Sequence, residues 1–260
     1  MIDTYCVKKI LIFLVIVLTA QVSYAEETGE KTWNRILGIG WLAYNGPYKD
    51  KDADLAPVLI TFWQQDRVFI RGSKAGYVVG KLKDLNQTEI DLYIEPRFMG
   101  YSAEDSAVFQ GMSDRKYSAD IGVQFKGKLP DLKDVSVNVS LSTDLLAKHE
   151  GQEIKLELLK SFDHGFYFLR PGIGVEWQSK DMVDYYYGVC GEEVTTIRFE
   201  YSPNDAINFY TGIDGYLGLS ENWLLVGNVC VYFLHKAIKN SPIVDSAYAL
   251  RGIVGVSRKF

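Results

Sequence analysis

Apolar and polar residues alternate with a period of two along most of this chain, which is the pattern of β-strands with two different faces. Within residues 207–217, apolar side chains occupy mainly the odd-numbered positions and polar side chains mainly the even-numbered ones. Residues 117–126 and 135–142 sort in the same way. Helical periodicity is nearly absent, so the pattern predicts an all-β protein.

We count about twelve such strands, each of roughly 8 to 14 residues. Residues 195–201 are assigned to one of them, with Ile197 and Phe199 on one face and Arg198 on the other. A single strand is predicted to begin near Arg67. The other strands are predicted at or near residues 35, 57, 89–96, 117–126, 135–142, 152, 166–177, 207–217, 222–234 and 249–260.

Strands of this kind suit a soluble sandwich or small barrel, or a membrane barrel with an apolar outer face and a polar lumen. Tryptophans at or near strand ends favour the membrane, because interfacial girdles are aromatic. The last strand favours it too, because outer-membrane barrels commonly end on an aromatic strand that the assembly machinery reads. The predicted assembly signal is one face of that strand: Leu250, Val254, Val256 and Phe260. The sequence therefore predicts a transmembrane antiparallel β-barrel of about twelve strands.

The first 25 residues predict a cleaved signal peptide. Lys8 and Lys9 precede an apolar run at residues 10–20, and small residues at Ser23 and Ala25 mark a cleavage site. The run is short for a membrane span, which needs roughly 20 apolar residues, so an uncleaved anchor is the weaker alternative. We expect residues 26–260 to form one barrel in the cell outer membrane, after cleavage near Ala25.

Composition and motifs argue against catalysis and cofactor binding. The net charge is −5, so there is no basic footprint for nucleic acid. No nucleophile elbow, phosphate loop or paired-cysteine metal motif is present. The acidic run at residues 50–54 lacks the glycine and glutamate of a calcium loop, and the three histidines have no ligand spacing. We therefore predict no enzyme activity, no catalytic residue, no cofactor and no metal.

Two further predictions concern side chains near the lumen. Cys190 and Cys230 are placed too far apart for a disulfide, so two free thiols are expected. Charged residues on inward faces form either a satisfied network in a narrow barrel or a pore lining. These residues are Asp120, Arg170, Glu176, Arg198, Glu200 and Asp214.

The sidedness of the connections follows by counting strands backwards from a C-terminus in the periplasm. The count places residues 235–246 and 45–56 outside the cell. It places residues 179–192, 143–151 and 99–116 in the periplasm.

Four stretches, at residues 95–122, 142–153, 177–189 and 240–245, resemble the MipA/OmpV family of outer-membrane proteins, also called MltA-interacting proteins. The resemblance is collinear from about Leu37 to Phe260. It departs from the usual assembly pattern at Arg258, where an aromatic residue is expected. The resemblance implies an outer-membrane barrel in contact with lipid and lipopolysaccharide. It also implies a scaffold that joins a lytic transglycosylase to a penicillin-binding protein, while other members are described as porin-like or adhesive.

The leading hypothesis is thus a non-enzymatic scaffold that links a peptidoglycan hydrolase and a synthase in cell-wall growth. Its partner-binding residues are predicted to be Asp184, Tyr185, Tyr186 and Tyr187, because exposed aromatic and acidic side chains suit interface anchors. The alternative for these tyrosines is an interfacial girdle. The alternative functions are a porin-like diffusion or osmotic-response channel and a surface adhesin.

Overall fold

The structure, a computed structural model, describes residues 35–82 and 88–260, and these residues form a closed antiparallel barrel of twelve strands. The predicted signal peptide lies outside the described residues. Among the described residues, no helix has the length and apolar character to cross a membrane. The strands are β1 (Arg35–Asn45), β2 (Asp54–Gln65), β3 (Val68–Arg71), β4 (Lys74–Leu82), β5 (Thr88–Arg97), β6 (Ser118–Lys128), β7 (Val135–Asp144), β8 (Gln152–Lys160), β9 (Phe162–Asp163), β10 (Tyr167–Gln178), β11 (Ala206–Gly218), β12 (Trp223–Phe233) and β13 (Tyr248–Lys259).

Each barrel strand pairs with its neighbours along the chain, and β1 pairs with β13 to close the ring. β9 is a two-residue segment that pairs with β10 beyond the end of β8, so it does not add a place to the ring. Closure pairs the strand N–H and C=O groups with one another, which a strand in hydrocarbon requires.

The two faces of the wall follow the alternation of the sequence. Outward positions such as Ile39, Trp41 and Val254 are apolar and exposed. Most inward positions are polar or small, and a few, such as Phe69 and Leu224, carry buried apolar side chains. Gly40 and Gly255 face each other across the closure of β1 and β13, where a Cβ on Gly40 would lie 2.4 Å from the Val254 carbonyl oxygen.

The two ends of the barrel differ in the length of their connections. The end that carries Arg35 and Phe260 has turns at residues 66–67, 129–134, 161–166 and 219–222; we call it the short-turn end. The opposite end carries a two-residue turn at 72–73 and five longer connections at residues 46–53, 98–117, 145–151, 179–205 and 234–247. Two helices lie in these connections, α1 (Lys180–Tyr187) and α2 (Lys236–Lys239).

The predicted total of twelve strands is confirmed, although two of its assignments are wrong in ways that cancel. Residues 195–201 form no strand, because Arg198 is buried and hydrogen-bonded to carbonyls of two connections. The single strand expected after Arg67 is two strands, β3 and β4. A two-residue Gly72–Ser73 turn separates them, with φ of 64° at Gly72.

The count of strands from the C-terminus includes the strand predicted at residues 195–201. Because that strand does not exist, the count assigns the connections just before it to the wrong end of the barrel. Residues 179–192, 143–151 and 99–116 lie at the same end as residues 235–246, not at the opposite end. The overlooked turn at Gly72 restores the count, so residues 45–56 keep their predicted end.

Candidate functional site

The four longest connections fold together into a compact body across one mouth of the barrel; we call it the cap (residues 46–53, 98–117, 179–205 and 234–247). Three of these connections join neighbouring hairpins of the ring, whereas residues 98–117 leave from between β5 and β6, so their contacts with the other three must cross the opening. Their buried side chains form one hydrophobic cluster, which includes Tyr48, Phe109, Val183, Ile238 and Ile243.

Helix α1 supplies the centre of this cluster. Its residues Met182, Val183, Tyr186 and Tyr187 are buried, at the i, i+1, i+4 and i+5 spacing that puts them on one face. The helix begins after Ser179 and ends at Gly188, where a Cβ would lie 2.5 Å from the carbonyl oxygen of the last turn.

Aromatic rings pack densely beside this helix. The Tyr48 ring stacks on Tyr187, with centroids 5.6 Å apart, and meets Tyr101 and Phe109 edge-on at 5.1 and 5.5 Å. Tyr101 and Phe109 are themselves stacked at 4.0 Å. Aromatic pairs of this geometry contribute about 0.5–1.5 kcal/mol each beyond the area they bury. Three connections are thereby held by one set of rings.

Polar contacts join the connections around that apolar centre. Arg115 Nη2 donates to both carboxylate oxygens of Glu193 at 3.1 and 3.0 Å, and its Nε donates to the Tyr185 carbonyl oxygen. Arg198 donates to the carbonyl oxygens of Glu193, Val108 and Gln110. Both arginines therefore hold residues 98–117 against residues 179–205.

Two further hydrogen bonds attach the remaining connections. Ser241 Oγ donates to the Tyr187 carbonyl oxygen at 2.6 Å, and the Lys49 N–H donates to the Ile243 carbonyl oxygen at 3.0 Å. Through them the segments 46–53 and 234–247 are tied to each other and to α1.

Burial and hydrogen bonding in the cap shift the pKa values of three tyrosines and one glutamate. Burial raises the pKa of Tyr101, Tyr186 and Tyr187, so these phenols stay protonated. Burial also opposes ionisation of Glu193, but the hydrogen bonds from Arg115 and the Ser113 N–H, with the Arg115 charge, outweigh it. The pKa of Glu193 is therefore lowered.

Residues 145–151 bring His149 next to two aspartates, which the sequence spacing did not indicate. His149 Nε2 lies 3.2 Å from Asp120 and 3.9 Å from Asp144. Their carboxylates are already engaged, because Asp144 accepts the Ser118 hydroxyl and four backbone N–H groups, and Asp120 accepts Arg97. The cluster has a potential set of metal ligands, but its hydrogen bonds are those of an anchored connection.

Beneath the cap, the upper lumen carries a network of ion pairs. Arg97 bonds Asp120 and Glu153, while Lys155 lies 2.7 Å from Glu153 and 3.2 Å from Glu176. A cavity of about 100 Å³ lies beside this network and reaches Tyr187 of the cap. The cap and the charged lumen are thus in direct contact.

Comparison with known proteins identifies the fold and its setting. Residues 37–260 match the family model described as "MltA-interacting protein MipA". The chain belongs to the MipA family. The Escherichia coli K12 relative named MltA-interacting protein is 27% identical over 227 residues, which is 86% of this chain and 89% of that protein.

Other MipA-family relatives are named as outer-membrane proteins. The outer membrane protein OmpV of Vibrio cholerae is 25% identical over 92% of this chain and 95% of its own length. The putative outer membrane protein YiaT of Escherichia coli K12 is 23% identical over 86% of this chain and 90% of its own. Together with the barrel, these names place the protein in the outer membrane.

The predicted partner-binding residues of this MipA-family barrel lie mainly inside the cap. Tyr186 and Tyr187 are 0% and 2% exposed, so the exposure on which their predicted role rested does not hold. Asp184 and Tyr185 are half-buried. The connections of this barrel thus build a core of their own, and Tyr186 and Tyr187 belong to it.

The other predicted residues are found in several places. Leu250, Val254, Val256 and Phe260, for which an assembly-signal role remains a prediction, are exposed on the outer face at the last strand. Of the predicted lumen charges, Asp120, Arg170, Glu176 and Asp214 lie on barrel strands, and Arg170 bonds Asp214. Arg198 and Glu200 lie in the cap instead. Cys190 and Cys230 are free thiols, as predicted.

Proposed function

We propose that this protein is a non-enzymatic outer-membrane scaffold that recruits a lytic transglycosylase and links it to a penicillin-binding synthase during cell-wall growth. The Escherichia coli relative named MltA-interacting protein supports the first partner, because it is similar over most of both chains. The synthase is the second partner in the same hypothesis, since a scaffold needs two.

The observation that carries the proposal is the folded cap. Fully buried side chains from four connections fill one mouth of the barrel, including Phe109, Val183, Tyr186 and Ile243. A packed mouth suits a rigid platform better than a diffusion channel, whose lumen must be open at both ends. The paired charges below it support a structural role in the same way.

The docking surface in this proposal is the short-turn end. Outer-membrane barrels have short periplasmic turns and longer external loops, and wall enzymes act in the periplasm. The short-turn end exposes Leu132, Phe166 and Leu219 in its turns. Apolar side chains there are suited to contact a partner, whereas Tyr186 and Tyr187 are already packed within the chain.

Site-specific cross-linking tests the partner and the surface together. A photo-reactive amino acid at Leu132 or Phe166 is expected to capture a lytic transglycosylase in cells. The matched control is Ile197, which is 79% exposed on the cap and is expected to capture none. Capture from Ile197 alone, or no capture from either turn, would contradict the proposal.

A surface adhesin is a second candidate, favoured by one observation. The cap exposes Ile197 and Phe199 at the end that we assign to the outside, with the buried Arg198 holding the backbone between them. Replacing both exposed residues with serine would weaken cell adhesion if this candidate holds, and would leave transglycosylase capture unchanged.

A further inference from the structure

The cavity beneath the cap is large enough to hold more than one or two ordered waters. The volume of this cavity is about 100 Å³. One ordered water needs a cavity volume of roughly 10–15 Å³ when it is measured in the same way. Side chains of the barrel wall line it on several sides, and Tyr187 of the cap lies at its top. A solute of a few heavy atoms fits the same space.

Most charged groups around this cavity are already neutralised. Arg97 has two carboxylate partners, Asp120 and Glu153. Lys155 also has two, Glu153 and Glu176. These ion pairs neutralise Arg97 and Lys155 without a ligand.

Two groups on the cavity wall differ from that pattern. Arg251 lies on β13, is half-buried and lines the cavity, yet it has no hydrogen bond or ion pair within the described part of the chain. Gln178 is 3% exposed, and its Nε2 donates to Glu176 at 2.7 Å. Its Oε1 is buried with no donor from any described residue. A free cationic donor and a free acceptor therefore line one space.

Buried polar atoms without partners are unfavourable, because each loses its hydrogen bonds to water on folding. Arginine presents planar N–H donors that match a carboxylate with two parallel bonds. An amide oxygen accepts from a hydroxyl group. A small molecule that carries a carboxylate and a hydroxyl would satisfy both groups at once.

Among the described residues, the short-turn end is the mouth that the cap does not cover. The cap fills the opposite mouth, whereas Arg170 and Asp214, on lumen-facing positions of β10 and β11, have side chains 40% and 37% exposed. Lys74 and Glu95, near the cap end of β4 and β5 beside the 72–73 turn, keep 24% and 26% of their side-chain surface accessible. Lumen-facing side chains are thus accessible near the short-turn end and again at Glu95, which lines the cavity.

We propose that this cavity binds a small hydroxycarboxylate that enters from the short-turn end. The carboxylate accepts from the Arg251 guanidinium, and the hydroxyl donates to Gln178 Oε1. This site is separate from any docking surface and does not depend on the scaffold role. Its residues Arg251 and Gln178 face the lumen, not the turns.

The test measures binding of lactate, with propionate as the same-sized acid that lacks the hydroxyl, to the purified mature barrel in detergent by equilibrium dialysis. Lactate is expected to bind saturably and more tightly than propionate. Arg251→Gln removes the charge while breaking no bond within the described chain, so it is expected to fold normally and lose at least about tenfold in affinity. Arg251→Lys keeps the charge without the planar fork and is expected to bind with intermediate affinity.

The control variant is Arg258→Gln, which makes the same change in the same strand, beside the outward-facing Phe260. Its lactate binding is expected to equal that of the wild type. Absence of saturable lactate binding to the wild type would mean that the cavity holds water only and would overturn the proposal. Unchanged binding in Arg251→Gln, or an equal loss in Arg258→Gln, would also overturn it.

Discussion

The two ends of the barrel share the same strands but differ in how the connections between those strands fold. At the short-turn end, strands are joined by brief turns, and the last residue meets the start of β1, where the Phe260 N–H donates to the Arg35 carbonyl oxygen. At the other end, four connections build a second hydrophobic core outside the sheet. The difference shows that a barrel rim holds its own folded unit when its connections carry enough apolar side chains.

The cap core predicts the largest effect of any single substitution that we consider. Tyr186→Ala removes a side chain that is 0% exposed, and core changes of this size cost about 3–5 kcal/mol. We expect local opening of the cap with an intact barrel. Hydrogen exchange of the amides in residues 98–117 and 179–205 measures it, against strand amides.

The control is Phe199→Ala in the same connection, where the side chain is 57% exposed. Its effect should stay within about 0.5 kcal/mol. Equal effects of the two substitutions would show that the cap has no core of its own.

The Arg115–Glu193 pair predicts the next largest effect. Glu193→Gln leaves a buried guanidinium without its charge partner, and breaking such a pair costs about 3 kcal/mol. Adding Arg115→Met should recover part of that loss, and a double-mutant cycle of cap stability measures the coupling. A coupling near zero would contradict the role assigned to this pair.

Acid should loosen the cap through the same group, with a smaller effect. The folded pKa of Glu193 is lowered, so its contribution is present above the unfolded pKa, about 4.3 for glutamate. It is lost as pH falls through the lowered folded value. The protection of cap amides, taken relative to their intrinsic exchange rate at each pH, should therefore fall below about pH 4 in the wild type. Glu193→Gln should show less of this pH dependence, and an unchanged profile would refute the assignment.

The short-turn end predicts the smallest effect on stability. The Phe260 side chain lies on the outer face and outside the cap core, so Phe260→Ala should change unfolding of the assembled barrel less than the cap substitutions do. If the terminal residues act as an assembly signal, the same change should lower the amount of assembled barrel in cells. Gel mobility of unheated samples measures assembly. A large loss of stability with normal assembly would reverse this assignment.

Sequence alternation predicted the wall well because a strand between lipid and lumen has two faces. Ile207, Phe209 and Ile213 point outward along β11 as expected, with Asn208 and Asp214 opposite them. The same signal failed at residues 195–201, where Ile197 and Phe199 alternate with Arg198 in a segment without a strand partner. Alternation indicates only that two faces of a segment differ. A buried arginine between two exposed apolar residues gives the same pattern without any sheet.

The cap was harder to predict because its core comes from segments far apart in the chain. The tyrosines of α1 have helical spacing in only eight residues, and their partners Tyr48, Phe109 and Ile243 lie in three other connections. The Gly72–Ser73 turn does have a local sequence signal, since Gly-Ser between two apolar runs is typical of a two-residue hairpin.

The sidedness of the cap is the central claim, and cysteine accessibility in intact cells tests it most directly. Cys190 and Cys230 are first replaced with serine, and a single cysteine is then introduced at Ile197 in the cap or at Leu132 in a short turn. An impermeant thiol reagent is expected to label the Ile197→Cys protein in intact cells. It should label the Leu132→Cys protein only after the outer membrane is permeabilised. Labelling of Leu132→Cys alone in intact cells would place the cap in the periplasm and contradict the account.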